Sequence, residues 1–211
     1  MIYGNPSYLV VQSIKNSILL REWLARGVLQ PVINLPYPDE VATKKELWML
    51  VAMGSVIDTK RLEYCLRLDE DLHQVMSEYL ASYGVTASRE ELKGLLDPYN
   101  PIIEYLKVIH NRPRPFQTAG VYDIPLYPRV IRPFPEASYP SGHTLLALFF
   151  YHIYGARHPH LKQELMKFVM DVKLSREQVG VHYPSDNLYS FQIYRHLQQY
   201  MGTYDTINRS A

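Results

Sequence analysis

Apolar positions recur along this chain at helical spacing almost from end to end. Leu9, Val10, Ile14, Ile18, Trp23 and Leu24 fall on one face of a helix predicted from about Pro6 to Arg26. The proline-bearing stretch Pro31 to Asp39 interrupts the pattern, and a second helix is predicted from Glu40 to Val56. A third, Lys60 to Tyr83, carries Leu62, Leu66, Leu72, Val75, Met76 and Leu80, with Gly84 as its stop. Ser88-Arg-Glu-Glu91 predicts a capping box, in which Ser and Glu side chains satisfy the orphan amides of a helix start. Asn100-Pro101 reads as an N-cap followed by proline in the first helical position, opening a helix to about Ile109. From His110 to Tyr139 the pattern fails, because prolines at 113, 115, 125, 128, 133 and 135 forbid a continuous helix. A loop this long in a compact domain usually has a function or no fixed shape. Helical spacing resumes over Ser141 to Gly155, Pro159 to Glu177 and Ser185 to Met201. No strand alternation or internal repeat interrupts it. The expectation is a single all-α domain, a helical bundle over 1–211, with N-terminal helices in 1–100 and the chemistry in 101–202.

The most apolar runs, Leu47 to Ile57 and Thr144 to Tyr154, are about half the ~20 residues that cross a bilayer. No membrane span is expected, and no basic region leads into an apolar run near Met1. The sequence therefore reads as soluble and cytoplasmic. Lys and Arg number 22 against 21 Asp and Glu, a formal net charge of +1 over 211 residues. That balance excludes a protein whose main partner is a nucleic-acid polymer, which requires a basic excess. The single cysteine, Cys65, rules out an intramolecular disulfide and a cysteine-based zinc site, and it reads as inert core. The charge is unevenly placed. Residues 107–132 hold five cations (Lys107, Arg112, Arg114, Arg129, Arg132) and one acid, Asp123, whereas 60–97 hold eight acids and five bases.

Three short segments carry groups suited to one chemistry. Lys107 lies on the last turn of a helix, and Arg114-Pro115 follows in extended chain. A point cation and a planar fork can converge there on an oxyanion. Tyr139-Pro140-Ser141-Gly142-His143 precedes an apolar helix, so Ser141 can cap it while Gly142 allows close approach to the first amides, a ready anion site with His143 beside it. In Ser175-Arg176-Glu-Gln-Val-Gly-Val-His182-Tyr-Pro-Ser-Asp186, the aspartate is placed to fix the tautomer of the histidine. Each segment alone is ordinary: a solvated basic loop, a Ser-capped helix, a surface histidine near a capping acid.

Together they are not ordinary. Lys107, six residues, Arg114-Pro115; Pro140-Ser141-Gly142-His143; Ser175-Arg176, five residues, His182, three residues, Asp186: the order and spacings resemble the tripartite signature of the type 2 phosphatidic acid phosphatase superfamily. That group includes class A non-specific acid phosphatases and vanadium-dependent haloperoxidases. The resemblance covers residues 107–186 and leaves 1–100 unrecognised. It implies that His182 attacks phosphorus to form a phosphohistidine and that Asp186 orients it. It implies that His143 protonates the leaving oxygen, and that Lys107, Arg114, Arg176, Ser141 and the Gly142 amide hold the phosphoryl oxygens. Such a site needs no metal, since cations and helix-start amides supply the charge stabilisation, and vanadate is expected to act as an inhibitor or phosphate mimic. His143 must start protonated, which favours mildly acidic to neutral pH.

The expected activity is a metal-independent, acid-phosphatase-like hydrolase of small soluble phosphomonoesters, including nucleotides or pyrophosphates. The alternatives are a vanadate-dependent haloperoxidase, a lipid phosphate phosphatase acting from the soluble side, and an inactive helical binding module. Spacing from Lys107 selects Arg114 as the phosphate ligand and leaves Arg112 as an outer cation or an exposed one. The Asn-Leu-Tyr-Ser run after Asp186 lacks the small residues expected of many family members, which questions the packing there. Tyr122, Tyr127, Phe134, Tyr139 and Tyr183 flank the motifs, where ordinary packing is the first expectation and a pocket wall the second. A helical surface with many of the 18 tyrosines is compatible with a homodimer.

Overall fold

The computed structural model describes residues 7–129 and 136–207, with side chains to Met201. Among these the regular structure is helical: α1 (Tyr8–Asn16), α2 (Ile18–Ala25), α3 (Gln30–Ile33), α4 (Glu40–Ser55), α5 (Thr59–Glu70), α6 (Leu72–Ala81), α7 (Arg89–Leu96), α8 (Asn100–His110), α9 (Pro115–Ala119), α10 (Gly142–Arg157), α11 (Lys162–Gln178) and α12 (Pro184–Ile207). The all-α reading holds. Pro6, where the first helix was expected to begin, and Arg132 and Phe134 lie outside the described residues.

Two of the expected long helices are each divided at a polar cap. Ser17 is extended and its hydroxyl accepts from the Leu20 amide, ending α1 and starting α2. Asp71 does the same between α5 and α6, accepting from the Gln74 amide. Hydrophobic spacing is blind to such breaks, because the stripe continues on the far side while one residue leaves the helical region. The Ser88 hydroxyl caps the Glu91 amide as expected, but the Glu91 carboxylate reaches Tyr154 and Arg157 of α10, leaving the box half made. A 3₁₀ turn, Asp97–Tyr99, leads into α8, which starts at Asn100 with Tyr99 as its cap residue and Pro101 in its first turn. The proline-rich stretch contains α9, because Pro115 has the fixed φ a helix start needs.

The apolar run of α10 becomes the central helix. Leu145, Ala147, Leu148, Phe149, Phe150, Ile153 and Tyr154 are all buried, between α11 and α12 and against α7 and α8. A helix apolar on nearly every side must be enclosed, and here protein encloses it. Among the described residues no helix is long and apolar enough to cross a membrane. The main core joins α10, α11 and α12 to α2, α6, α7 and α8. A smaller cluster sets Leu47 and Leu50 of α4 against Ala119, Ile124, Leu126 and Tyr183, and a third packs Cys65 of α5 on Val179 and Val181. Through these lesser clusters α4 and α5 lie against the segment carrying His182. Cys65 is wholly buried, as expected of inert core.

Phe150 meets Phe168 and Tyr154 at centroid separations of 5.6 and 5.2 Å. Phe150→Ala should cost about 3–5 kcal/mol, read as a lower urea midpoint with an unchanged slope.

Candidate functional site

The site is assembled at three helix ends. α8 closes at Asn111, whose φ of 44° and ψ of 39° put it in the left-handed region that asparagine tolerates. The chain turns there, and extended residues carry Arg112 and Arg114 back beneath the last turn of α8, where Lys107 sits. α11 closes differently. Gly180, with φ of 74°, allows the Val181 amide to reach Arg176 O at 3.2 Å and its own amide to reach Glu177 O at 2.9 Å, a Schellman closure. Two residues later His182 has returned beside Arg176, its amide 3.3 Å from the same carbonyl. Pro184 then starts α12, one residue before the expected Ser185, as its first helical residue. Asp186, in that first turn, accepts from the Tyr183 amide at 2.9 Å through Oδ2.

These turns bring the charged positions of the signature together. His182 Nδ1 lies 3.2 Å from Asp186 Oδ2, and Nε2 lies 2.9 Å from Arg114 Nη1. Arg114 is 1% exposed and also donates to Val181 O and Glu136 O. Arg176 is fully buried; Nη2 donates to Asp69 at 2.7 Å, while among the described residues Nε and Nη1 find no acceptor. Gly142 faces the Lys107 amine: a Cβ there would stand 3.4 Å from Ile103 Cγ2 and 4.0 Å from Lys107 Nζ. His143 is one residue further into α10. Ser141 behaves otherwise than expected. It is buried with an extended backbone, but no side chain caps α10. Its hydroxyl instead donates to Thr144 Oγ1, opening a buried chain through Asn187 to Glu177.

The electrostatics follow from three cations gathered in a dry place. Burial first, and then Arg114, bring the Lys107 amine down to about 7. Arg114 is lowered to about 10, chiefly by burial. His182 is held well below its ordinary value by burial, then by Arg114, Lys107 and Arg176. His143 is lowered for the same reasons, burial first and then Arg176, Lys107 and Arg114. Both imidazoles are therefore neutral near pH 7 in these surroundings. This differs from the expectation that His143 starts protonated: the cations that would bind an anion oppose its proton.

Three residues outside the expected set prove central to the geometry. Arg112, neither exposed nor merely outer, is 2% exposed and stacked 3.7 Å over the Tyr183 ring. Its Nη1 donates to Asp186 Oδ1 and Ser185 Oγ, each at 2.7 Å, and its Nη2 to Glu46 Oε2 at 3.1 Å. Glu46 of α4 also accepts from the Ser185 amide and hydroxyl, and Asp69 of α5 holds Arg176. Pairing over such sequence separations leaves no local mark; the one signal for Arg112 was that, like Arg114, it precedes a proline. The five-cation window also overstated the pocket, since Arg112 is paired with acids and Arg129 is exposed. Of the flanking aromatics, Tyr139 and Tyr183 are buried around Arg112, Tyr122 faces Lys44, and Tyr127 is 80% exposed. The bulk after Asp186 is accommodated by stacking: Tyr189 lies 4.0 Å from Tyr139 in parallel and donates to Val32 O of α3.

A family model described as the PAP2 superfamily matches residues 95–193. That span includes every signature position from Lys107 to Asp186 and leaves α4 and α5 outside. Among solved structures the chain is similar to a transmembrane PAP2-type phosphatidylglycerolphosphate phosphatase from Bacillus subtilis. The TM-score is 0.55 at 17% identity, over 89% of this chain and 95% of that one. At that identity the likeness is one of fold. No curated protein matches the sequence.

The Lys107 amine gives a test of this electrostatic account. Its folded value of about 7 lies below the ordinary 10.5, so folding expels its proton between those limits. The stability it withholds at low pH returns as pH rises through that window. Lys107→Met should melt above the unsubstituted protein at pH 6, with the gap closing toward pH 10; a gap independent of pH would show an amine that titrates normally.

Proposed function

We propose that this chain, a member of the PAP2 superfamily through residues 95–193, is a metal-independent phosphatase that hydrolyses small phosphomonoesters through a phosphohistidine on His182. Phosphatase chemistry is the family's; the substrate class and residue roles are the proposal. The observation that carries it is the meeting of Lys107, Arg114 and Arg176 around two neutral imidazoles, with two buried donors of Arg176 lacking an acceptor among the described residues. Buried cationic donors without acceptors are costly, and an oxyanion supplies both the acceptors and the opposing charge.

In this reading the Nδ1–H of His182 is held by Asp186, leaving the Nε2 lone pair to attack phosphorus as the ester P–O bond breaks. Arg114 Nη1, already 2.9 Å from Nε2, is within reach of an oxygen on phosphorus attached there. The departing alkoxide takes the proton of His143. Neutral His143 then accepts a proton from water, whose oxygen attacks phosphorus, the P–N bond breaks, and phosphate leaves with His182 restored. A phosphoryl dianion offsets the three cations that depress His143, so substrate binding and proton uptake are coupled. The working range accordingly reaches to lower pH than a surface histidine would set. The cations and amides meet the demand of phosphoryl transfer for charge stabilisation without calling on a metal.

Hydrolysis of a chromogenic phosphate ester should persist with EDTA, and vanadate should inhibit it rather than support halide oxidation. His182→Ala should lose about 1,000-fold or more in turnover. Phosphate should be recovered on His182 after quenching into alkaline denaturant, which preserves a P–N bond; full activity of His182→Ala would overturn the mechanism. One observation favours a second reading, a lipid phosphate as substrate: the solved neighbour is named as a phosphatidylglycerolphosphate phosphatase. Comparing kcat/KM on that lipid in mixed micelles with kcat/KM on glycerol 3-phosphate separates the two.

A further inference from the structure

The most completely paired group near the site is Arg112, and its partners point to a role. Asp186 is fully buried, so its charge depends on what surrounds it. The Arg112 guanidinium meets Oδ1 at 2.7 Å, and the Tyr183 amide meets Oδ2 at 2.9 Å. The remaining direction of Oδ2 faces His182 Nδ1. Arg112 is itself fixed: Tyr183 lies under its plane, and Glu46 and Thr43 of α4 take Nη2 at 3.1 and 3.4 Å. Glu46 also fastens the start of α12 by accepting at 2.7 Å from both the amide and the hydroxyl of Ser185, the residue before Asp186.

We infer that Arg112, held by Glu46, is a positioning residue that keeps Asp186 a carboxylate and thereby keeps His182 in the tautomer whose Nε2 is free of hydrogen. This rests on the role proposed above for His182. Burial raises Asp186 to about 7 even against the groups that hold it down, Arg112 foremost, then the Tyr183 amide and Arg114. The other charged and titratable neighbours of this centre are Lys107, Glu46, Tyr139, Tyr183 and His182 itself. Without the guanidinium that value climbs further, so Asp186 stays protonated above neutrality and turns from acceptor to donor. It then donates to Nδ1, and the ring hydrogen moves to Nε2, where it blocks attack on phosphorus and displaces the hydrogen bond that Arg114 Nη1 gives that nitrogen at 2.9 Å. Lysine is a poor substitute, since one ammonium cannot span Asp186, Ser185 and Glu46 while stacking on Tyr183.

The test uses the whole chain labelled with ¹⁵N-histidine, the His182 signals being assigned by their loss in H182Q. The unsubstituted protein should show His182 neutral and protonated at Nδ1 near pH 8. In R112Q at that pH the signal should shift to the Nε2–H tautomer. Turnover of a phosphate ester should fall by about 100-fold or more at pH 8, with KM within about threefold, and recover in part as pH rises further and Asp186 ionises. R112K and E46Q should fall between. Should R112Q not fold by circular dichroism, R112K and E46Q carry the same readouts. An unchanged His182 tautomer together with an unchanged pH profile in the folded variants overturns the inference, even where activity drops. The tautomer needs no substrate to be read, so a protein that hydrolyses no phosphate ester would refute the proposed function while leaving the role of Arg112 decided by the spectrum.

Discussion

Three positive side chains share one buried point, and much of the surrounding structure serves to keep them there. Lys107, Arg114 and Arg176 repel one another in a medium that screens poorly. Each arginine is matched to a carboxylate. Arg176 leans on Asp69, Arg112 bridges Glu46 and Asp186, and Arg114 lies 3.8 Å from Glu136. The amine of Lys107 answers the same field by giving up its proton more readily. The pairing is incomplete by construction. Enough acid is present to hold the guanidinium groups in place, and among the described residues Nε and Nη1 of Arg176 still lack an acceptor.

This constraint explains the division of labour between the two halves of the chain. The signature segments supply the groups that converge, while α4 and α5 supply counter-charges through Glu46 and Asp69. Residue 68, next to Asp69, adds a backbone interaction with His143 that favours its protonated form. The helices that carry no recognisable motif are thus the outer wall of the site. The acidic excess over 60–97 is not only a solvated face, since Asp69 turns inward from it.

Much of the fold was legible because helical spacing and proline placement act locally. The central helix α10 and the ends of α8 and α11 could be read from apolar runs and breakers. The divisions at Ser17 and Asp71 could not, because a single polar residue leaving the helix does not disturb a hydrophobic stripe. For the site, motif spacing led to the histidines, the aspartate and the cations, since a helix end fixes how far apart such groups lie. It failed where roles are assigned by long-range partners. Ser141 was read as a cap, yet its hydroxyl donates to Thr144 Oγ1 instead of accepting from an amide of α10. Arg112 was left undecided, because its meaning lies in Glu46, 66 residues earlier. The protonation of His143 is likewise a property of the assembled charges and of no segment alone.

The closure of α11 at Gly180 has one more consequence. The Arg176 carbonyl accepts from the amides of both Val181 and His182, so the buried arginine and the imidazole are tied through a single oxygen. They belong to one rigid body, and the five residues between them act as a ruler rather than a tether. A one-residue insertion there, harmless in most surface turns, would break the tie and swing the ring away from the cations. The number of residues between two letters is, at this place, a bond length in disguise.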